Sequence, residues 1–199
     1  GTAGTALTIS FTSSTVDATV VEEIIAQLRY RSTSDAFAGG STTNKTLTIA
    51  VADGDATPNS GSGTRTIAVA GLNDAPTLDS SAAMSLTAIG ENDVTNTGTL
   101  VSAIIVSAGG DRITDLDSGA LEGIAVTGVN ATDGVWQFST NAGGSWSSFA
   151  APTGTSATLL AADARIRFVP NLGFVGTVSS GITFVAWDRT SGTSGQAGV

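Results

Sequence analysis

Short runs in which apolar and polar residues alternate with period two constrain this chain more than any other feature. Thr46-Leu-Thr-Ile-Ala-Val-Ala, Arg65-Thr-Ile-Ala-Val-Ala, Gly123-Ile-Ala-Val-Thr-Gly-Val and Gly181-Ile-Thr-Phe-Val-Ala-Trp each read as half-buried strands. Clusters of Gly, Ser, Asn and Asp separate them, as in Asp53-Gly-Asp-Ala-Thr-Pro-Asn and Asn141-Ala-Gly-Gly-Ser. The 30 Thr, 23 Ser and 29 Ala supply small side chains and little long, charged surface, which favours a secreted, β-rich protein. One segment departs from the pattern. Between Asp17 and Tyr30, Val20, Val21, Ile24, Ile25 and Leu28 recur at helical spacing while Glu22, Glu23 and Gln27 face outward. This predicts a short amphipathic helix capped by Thr15 or Asp17.

The strands also repeat. Leu47-Thr-Ile-Ala-Val-Ala-Asp53 matches Ile182-Thr-Phe-Val-Ala-Trp-Asp188 at an offset of 135, and Arg29-Tyr-Arg31 matches Arg165-Ile-Arg167 at 136. Ala18-Thr-Val-Val matches Ala157-Thr-Leu-Leu with slightly more slippage. Three blocks in one order imply a duplicated unit of about 135 residues. The chain then holds one nearly complete copy, 73–199, preceded by the C-terminal part of another, 1–72. The boundary falls at Gly71-Leu-Asn-Asp-Ala-Pro-Thr-Leu, where Pro76 opens an extended segment. A partial unit leaves strand edges uncovered, so missing strands are expected from elsewhere in the chain or from a neighbouring molecule.

Composition removes whole classes of chemistry. There is no Cys and no His, which excludes Ser-His-Asp and Cys-His triads, HExxH zinc sites and zinc deaminases. Seventeen acids against eight bases, net charge −9, argue against nucleic acid and for a cation. No apolar run approaches the ~18 residues of a membrane span. The start, Gly1-Thr-Ala-Gly-Thr, lacks a basic region and an apolar core, so the chain reads as a mature fragment of something longer. A two-carboxylate hydrolase stays formally open, although only Asp163 and Asp188 have even weakly apolar surroundings in sequence. No enzymatic activity is expected.

These residues resemble the cadherin-like, immunoglobulin-like repeats of large bacterial adhesins. Asn73-Asp-Ala-Pro76 is similar to the linker that opens such repeats, Glu91 to their calcium-binding Glu, and Asp115-Leu-Asp117 to their Asp-x-Asp pair. Gly134-Val-Trp-Gln-Phe to Gly144-Ser-Trp146 looks like their Trp-bearing hairpin, followed by Ala164-Arg-Ile-Arg-Phe-Val-Pro. The resemblance implies an all-β fold of tandem Greek-key β-sandwich repeats, the first incomplete and carrying the helix. It implies Ca2+ at the junction between repeats, held by Asn73 or Asp74, Glu91, Asp115 and Asp117, with Asp53 and Asp55 contributing from the first repeat. Asp188, the counterpart of Asp53, would face a following domain. Clustered carboxylates repel, and a divalent ion with its oxygen shell relieves that repulsion and stiffens the hinge.

The function so implied is structural: an extracellular or cell-surface module serving adhesion, biofilm or fibre formation, with strand exchange between molecules as a route to filaments. Expected partners are neighbouring repeats or copies of the same protein, surface glycans or other cells, with no nucleic acid and no membrane insertion. The alternative is a carbohydrate-binding module stacking sugars on Trp136 and Trp146. Arg165 and Arg167, with Arg29 and Arg31 as counterparts, are expected to form structural ion pairs with Asp35 or Asp163.

Overall fold

A computed structural model describes residues 8–10, 17–31, 38–52 and 60–199. The chain divides into two compact units, Gly1–Asp35 and Ala36–Val199. The sequence boundary at 72/73 therefore lies within the second unit, because the chain from Ala36 onward belongs to the same compact body as the later strands.

In the first unit, helix α1 (Ala18–Gln27) begins where predicted. Asp17 sits in extended conformation and its carboxylate accepts the Val20 amide at 3.1 Å, satisfying an otherwise unpaired N–H of the first turn. Thr15 lies outside the described residues. The helix ends as Leu28 turns extended, and Arg29 donates back to the carbonyls of Ala26 and Leu28.

The second unit opens with a long hairpin. Strands β1 (Thr42–Ala52) and β2 (Ser60–Ala70) pair antiparallel with Leu47 opposite Arg65. Paired residues share a face, so Leu47, Ile49, Val51, Ile67 and Val69 line one side and Ala, Thr and Ser the other. The polar side is exposed and the apolar side only partly buried, with Val51 43% exposed.

The remaining elements are β3 (Thr77–Leu78), β4 (Thr99–Leu100), α2 (Val101–Val106), β5 (Ile113–Thr114), β6 (Gly123–Val129), β7 (Gly134–Ser139), β8 (Ser147–Ser148), β9 (Thr158–Ala161), β10 (Arg165–Pro170) and β11 (Ile182–Trp187). They form a four-stranded sheet, β4-β10-β7-β8, a three-stranded sheet, β11-β6-β9, and the short pair β3-β5. Every pairing is antiparallel. The protein is all-β in class, with few helices.

Both larger sheets send side chains into one core. Ile124 and Val126 of β6, Leu160 of β9, Trp136 of β7 and Ile166 of β10 meet there, each essentially removed from water. Burying one such side chain stabilises by about 1.5–3 kcal/mol. Trp136 packs against Phe168 at 4.9 Å between ring centres and donates its Nε1–H to the Asn130 carbonyl. Gly181 has to be glycine, because a Cβ there would lie 2.3 Å from the Trp136 ring.

Helix α2 runs against local preference. Val-Ser-Ala-Ile-Ile-Val is rich in β-branched residues and favours a strand by propensity. Tertiary packing decides otherwise: Val101, Ile104 and Ile105 are buried in the core, and the first amides of α2 donate to the carbonyls of Ala164 and Ala162. The expected Arg–Asp pairing also resolves differently. Arg165 donates to the Thr97 and Gly98 carbonyls and Arg167 to the Gln137 side chain, while Asp163 stays exposed. Asp35 lies outside the described residues.

Candidate functional site

Pairing of β3 with β5 decides which acids meet. Thr77 lies opposite Thr114, so the same register carried outward sets Asp74 against Asp117. The Asp74 amide accordingly donates to Asp117 Oδ2 at 2.9 Å. The other oxygen, Oδ1, accepts a hydrogen bond from the amide of Gly39, at the base of the β1–β2 hairpin. Gly39 is buried, and a Cβ there would run into the Asp117 carboxyl group. One carboxylate thus clasps two backbone segments 35 positions apart in sequence. Hydrogen bonds from amides to a charged acceptor are among the stronger ones.

Asp115 shapes this clasp. Its Oδ1 accepts the Asp117 amide at 2.8 Å, a local turn of the kind Asp favours. Its Oδ2 is buried and, among the described residues, accepts no hydrogen bond. Asp115 and Asp117 border a cleft of ≈ 320 Å³ together with Pro76, Ile113, Leu121 and Glu122. Burial raises the Glu122 pKa above its ordinary 4.5, and the neighbouring Asp111 carboxylate, by hydrogen bond and by charge, raises it further.

Asn73 and Asp188 complete this end of the molecule. The Asn73 amide group donates to Asp188 Oδ2 at 2.8 Å and to the Asp74 carbonyl at 3.1 Å. Asp188 also accepts the amide and hydroxyl of Thr190. Burial pushes its pKa up, but the bonds from Asn73 and Thr190 outweigh that and leave it lowered.

Glu91 lies elsewhere. It is exposed in the turn Gly90–Asp93, and Asn92 beside it accepts the Gly173 amide at 3.0 Å. Gly173 follows β10, and the Asn171 amide reaches the Asp133 carbonyl in the turn after β6. Asp188 and Glu122, by contrast, flank the pair Trp187–Gly123 at the start of β6. The seven residues of β6 span about 20 Å between the two ends. Glu91 is therefore separated from Asp115 and Asp117, and the expected single junction does not include it. Asp53 and Asp55 lie outside the described residues.

A fit to calcium is thus partial. Asp115, with its unbonded buried oxygen, suits a cation; Glu91 does not reach. Among the described residues, no group of three or more acidic side chains is placed to hold a metal ion.

The tryptophans offer little open ring surface. Trp136 is 6% exposed, and the Arg167 guanidinium lies 4.1 Å over the Trp146 ring.

Sequence reasoning missed Gly39, Glu122 and the Asp111 beside it. A lone acid next to Gly123 and a Gly-Gly pair ahead of a strand were the available signals, but both are common in loops. Asp79, an acid with no expected role, forms a 2.6 Å ion pair with Arg112. Hydrogen bonds from the Ser81 hydroxyl and amide, then Arg112, hold its pKa down at about 2. No family model matches the chain, and no curated protein or solved structure matches it.

Proposed function

We propose that this chain is a non-enzymatic structural module of a secreted or surface-exposed repetitive protein, built as tandem Greek-key β-sandwich repeats of cadherin-like type with the first incomplete. Its working part is the joint around Asn73–Asp74. The observation that carries this reading is the Asp117 clasp, which ties the hairpin base at Gly39 and the linker at Asp74 to one side chain. A carboxylate bonded to two backbone amides resists bending of the linker, as a rod of modules requires. Function then lies in reach and adhesion rather than in turnover.

Calcium is the proposed stiffener of this joint. Asp115 and Asp117 border the cleft and would supply two carboxylates, with backbone carbonyls and water completing a shell of about six to eight oxygens. When bound, the ion would supply positive charge to neighbouring carboxylates. Asn73 and Asp74 stand beside the same joint, whereas Glu91 belongs to the opposite end. A sugar-binding reading draws no support from the buried Trp136 or the Arg-covered Trp146.

Thermal unfolding with and without millimolar calcium tests the proposal. Calcium should raise the melting temperature by a few degrees, and Asp115→Asn should abolish the rise while leaving the calcium-free melting temperature within a degree or two, roughly the shift of a few tenths of a kcal/mol. An identical melting curve at every calcium concentration refutes calcium stiffening.

A further inference from the structure

We propose that the outer edge of β11 is a strand-acceptor site and that its occupant is β2 of a second copy of this chain. The inference rests on the reading of a tandem structural module and names the partner of that module, but it does not depend on calcium.

The argument starts from the duplicated strand. β1 and β11 carry the same motif at an offset of 135, so odd positions in one correspond to even positions in the other. In the hairpin, the Ser41 carbonyl accepts the Gly71 amide, which fixes the alternation of backbone groups. Thr43, Lys45, Leu47, Ile49 and Val51 turn their N–H and C=O toward β2. In the three-stranded sheet, the Gly181 carbonyl accepts the Asn130 amide. Thr183, Val185 and Trp187 therefore turn their backbone groups toward β6, and Ile182, Phe184 and Ala186 turn theirs outward. Shifted by 135, these outward residues are Leu47, Ile49 and Val51. The edge that β1 gives to β2 is the edge that β11 leaves open.

Among the described residues, no strand is hydrogen-bonded to that edge; β3 passes near β11 without pairing to it. Nor is the edge guarded. Ile182-Thr-Phe-Val-Ala-Trp contains no charge and no proline, and Val185 is 52% exposed, the combination that invites another strand. β2 has an unused edge as well. Ser62, Thr64, Thr66 and Ala68 point their backbone groups away from β1, and no other strand pairs with β2 among the described residues.

Charge selects this pairing over β11 against β11. The hairpin sequence 42–70 carries Lys45 and Arg65 against Asp53 and Asp55 and is net neutral, whereas Asn73–Val199 holds eleven acids against four arginines. A neutral hairpin approaching an acidic module meets no net repulsion, whereas two such modules repel. Donor and acceptor edges differ, so the contact is heterologous and propagates into an open-ended filament unless it closes on itself.

Sedimentation velocity on the full chain in calcium-free buffer, over rising protein concentration, tests the proposal. The unmodified chain should grow in size with concentration. Ala186→Pro removes an outward N–H of β11, and Thr66→Pro removes an outward N–H of β2, neither of which bonds to the strand's present neighbour. Each should weaken association at least about tenfold. Mixed together, the two variants should form one-to-one complexes that grow no further, since one retains the donor edge and the other the acceptor. Ala186 is half-buried, so near-ultraviolet circular dichroism checks its fold; Thr66 is exposed and tests the proposal by itself if Ala186→Pro unfolds. A wild type that stays monomeric at all concentrations, or a Thr66→Pro chain that associates like the wild type, overturns the proposal and leaves the calcium response of the joint untouched.

Discussion

β1 and β11 share a sequence motif and a strand conformation but not a fate. β11 lies against β6, with Ile182, Phe184 and Ala186 packed on the main core and Trp187 buried in a second apolar cluster with Ala125, Ala157 and Leu159. Among the described residues β1 has β2 alone as its strand partner, and its apolar face stays half in water. The difference shows that alternation specifies a strand, while burial depends on what the chain places opposite. A two-stranded hairpin is marginal on its own. Here its base is tied down by Asp117, so a polar contact does for the hairpin part of what a core does for β11.

That contrast can be broken at the apolar residues first. Ile124→Ala empties a fully buried position and should cost about 3–4 kcal/mol, whereas Ile49→Ala on the exposed hairpin should cost less than about 1 kcal/mol. Urea unfolding of both variants measures this, and equal losses would mean that the hairpin is as well packed as the two sheets. The clasp comes next. Asp117→Ala deletes the acceptor for the Gly39 and Asp74 amides and should cost about 1–3 kcal/mol. Hydrogen exchange should quicken across Thr42–Ala52 and remain slow in β6; uniform quickening would show that the joint and the core unfold as one.

The smallest effect concerns pH. Because the Glu122 pKa is raised in the folded chain, the unfolded chain ionises first as pH climbs from 4.5. Stability contributed at this site falls over the interval up to the raised folded value and stays lower above it. Glu122→Gln should remove that fall, making the variant slightly more stable than the wild type at pH 7 and indistinguishable below pH 4.5. Melting curves across that interval check it. Asp79 and Asp188 run the opposite way: their lowered pKa values stabilise above the ordinary 3.8 and lose that contribution as pH falls further.

Much of the architecture was legible residue by residue. The four alternating runs are strands in the structure, and Asp17 caps a helix that begins at Ala18. Both are local phenomena, governed by side-chain periodicity and by the unpaired amides of a first helical turn. Helix α2 was illegible for the converse reason, since its β-branched residues are held helical by the core and by carbonyls of the β9–β10 turn.

The acids divide in the same way. Asp115-Leu-Asp117 and Asn73-Asp74 could be grouped only through the family resemblance, and the short β3–β5 register does bring Asp74 to Asp117. No local rule could say that Glu91 sits a strand's length away, or that Asp117 spends its oxygens on the amides of Gly39 and Asp74. By itself, then, the sequence determined the all-β class, the positions of the four alternating strands and the motif that β1 and β11 share, because backbone preference and periodicity act over a few residues. Only the tertiary structure decided which carboxylates share an end and which edge of β11 stays open, because those depend on strand register and sheet order, which join residues far apart in the chain.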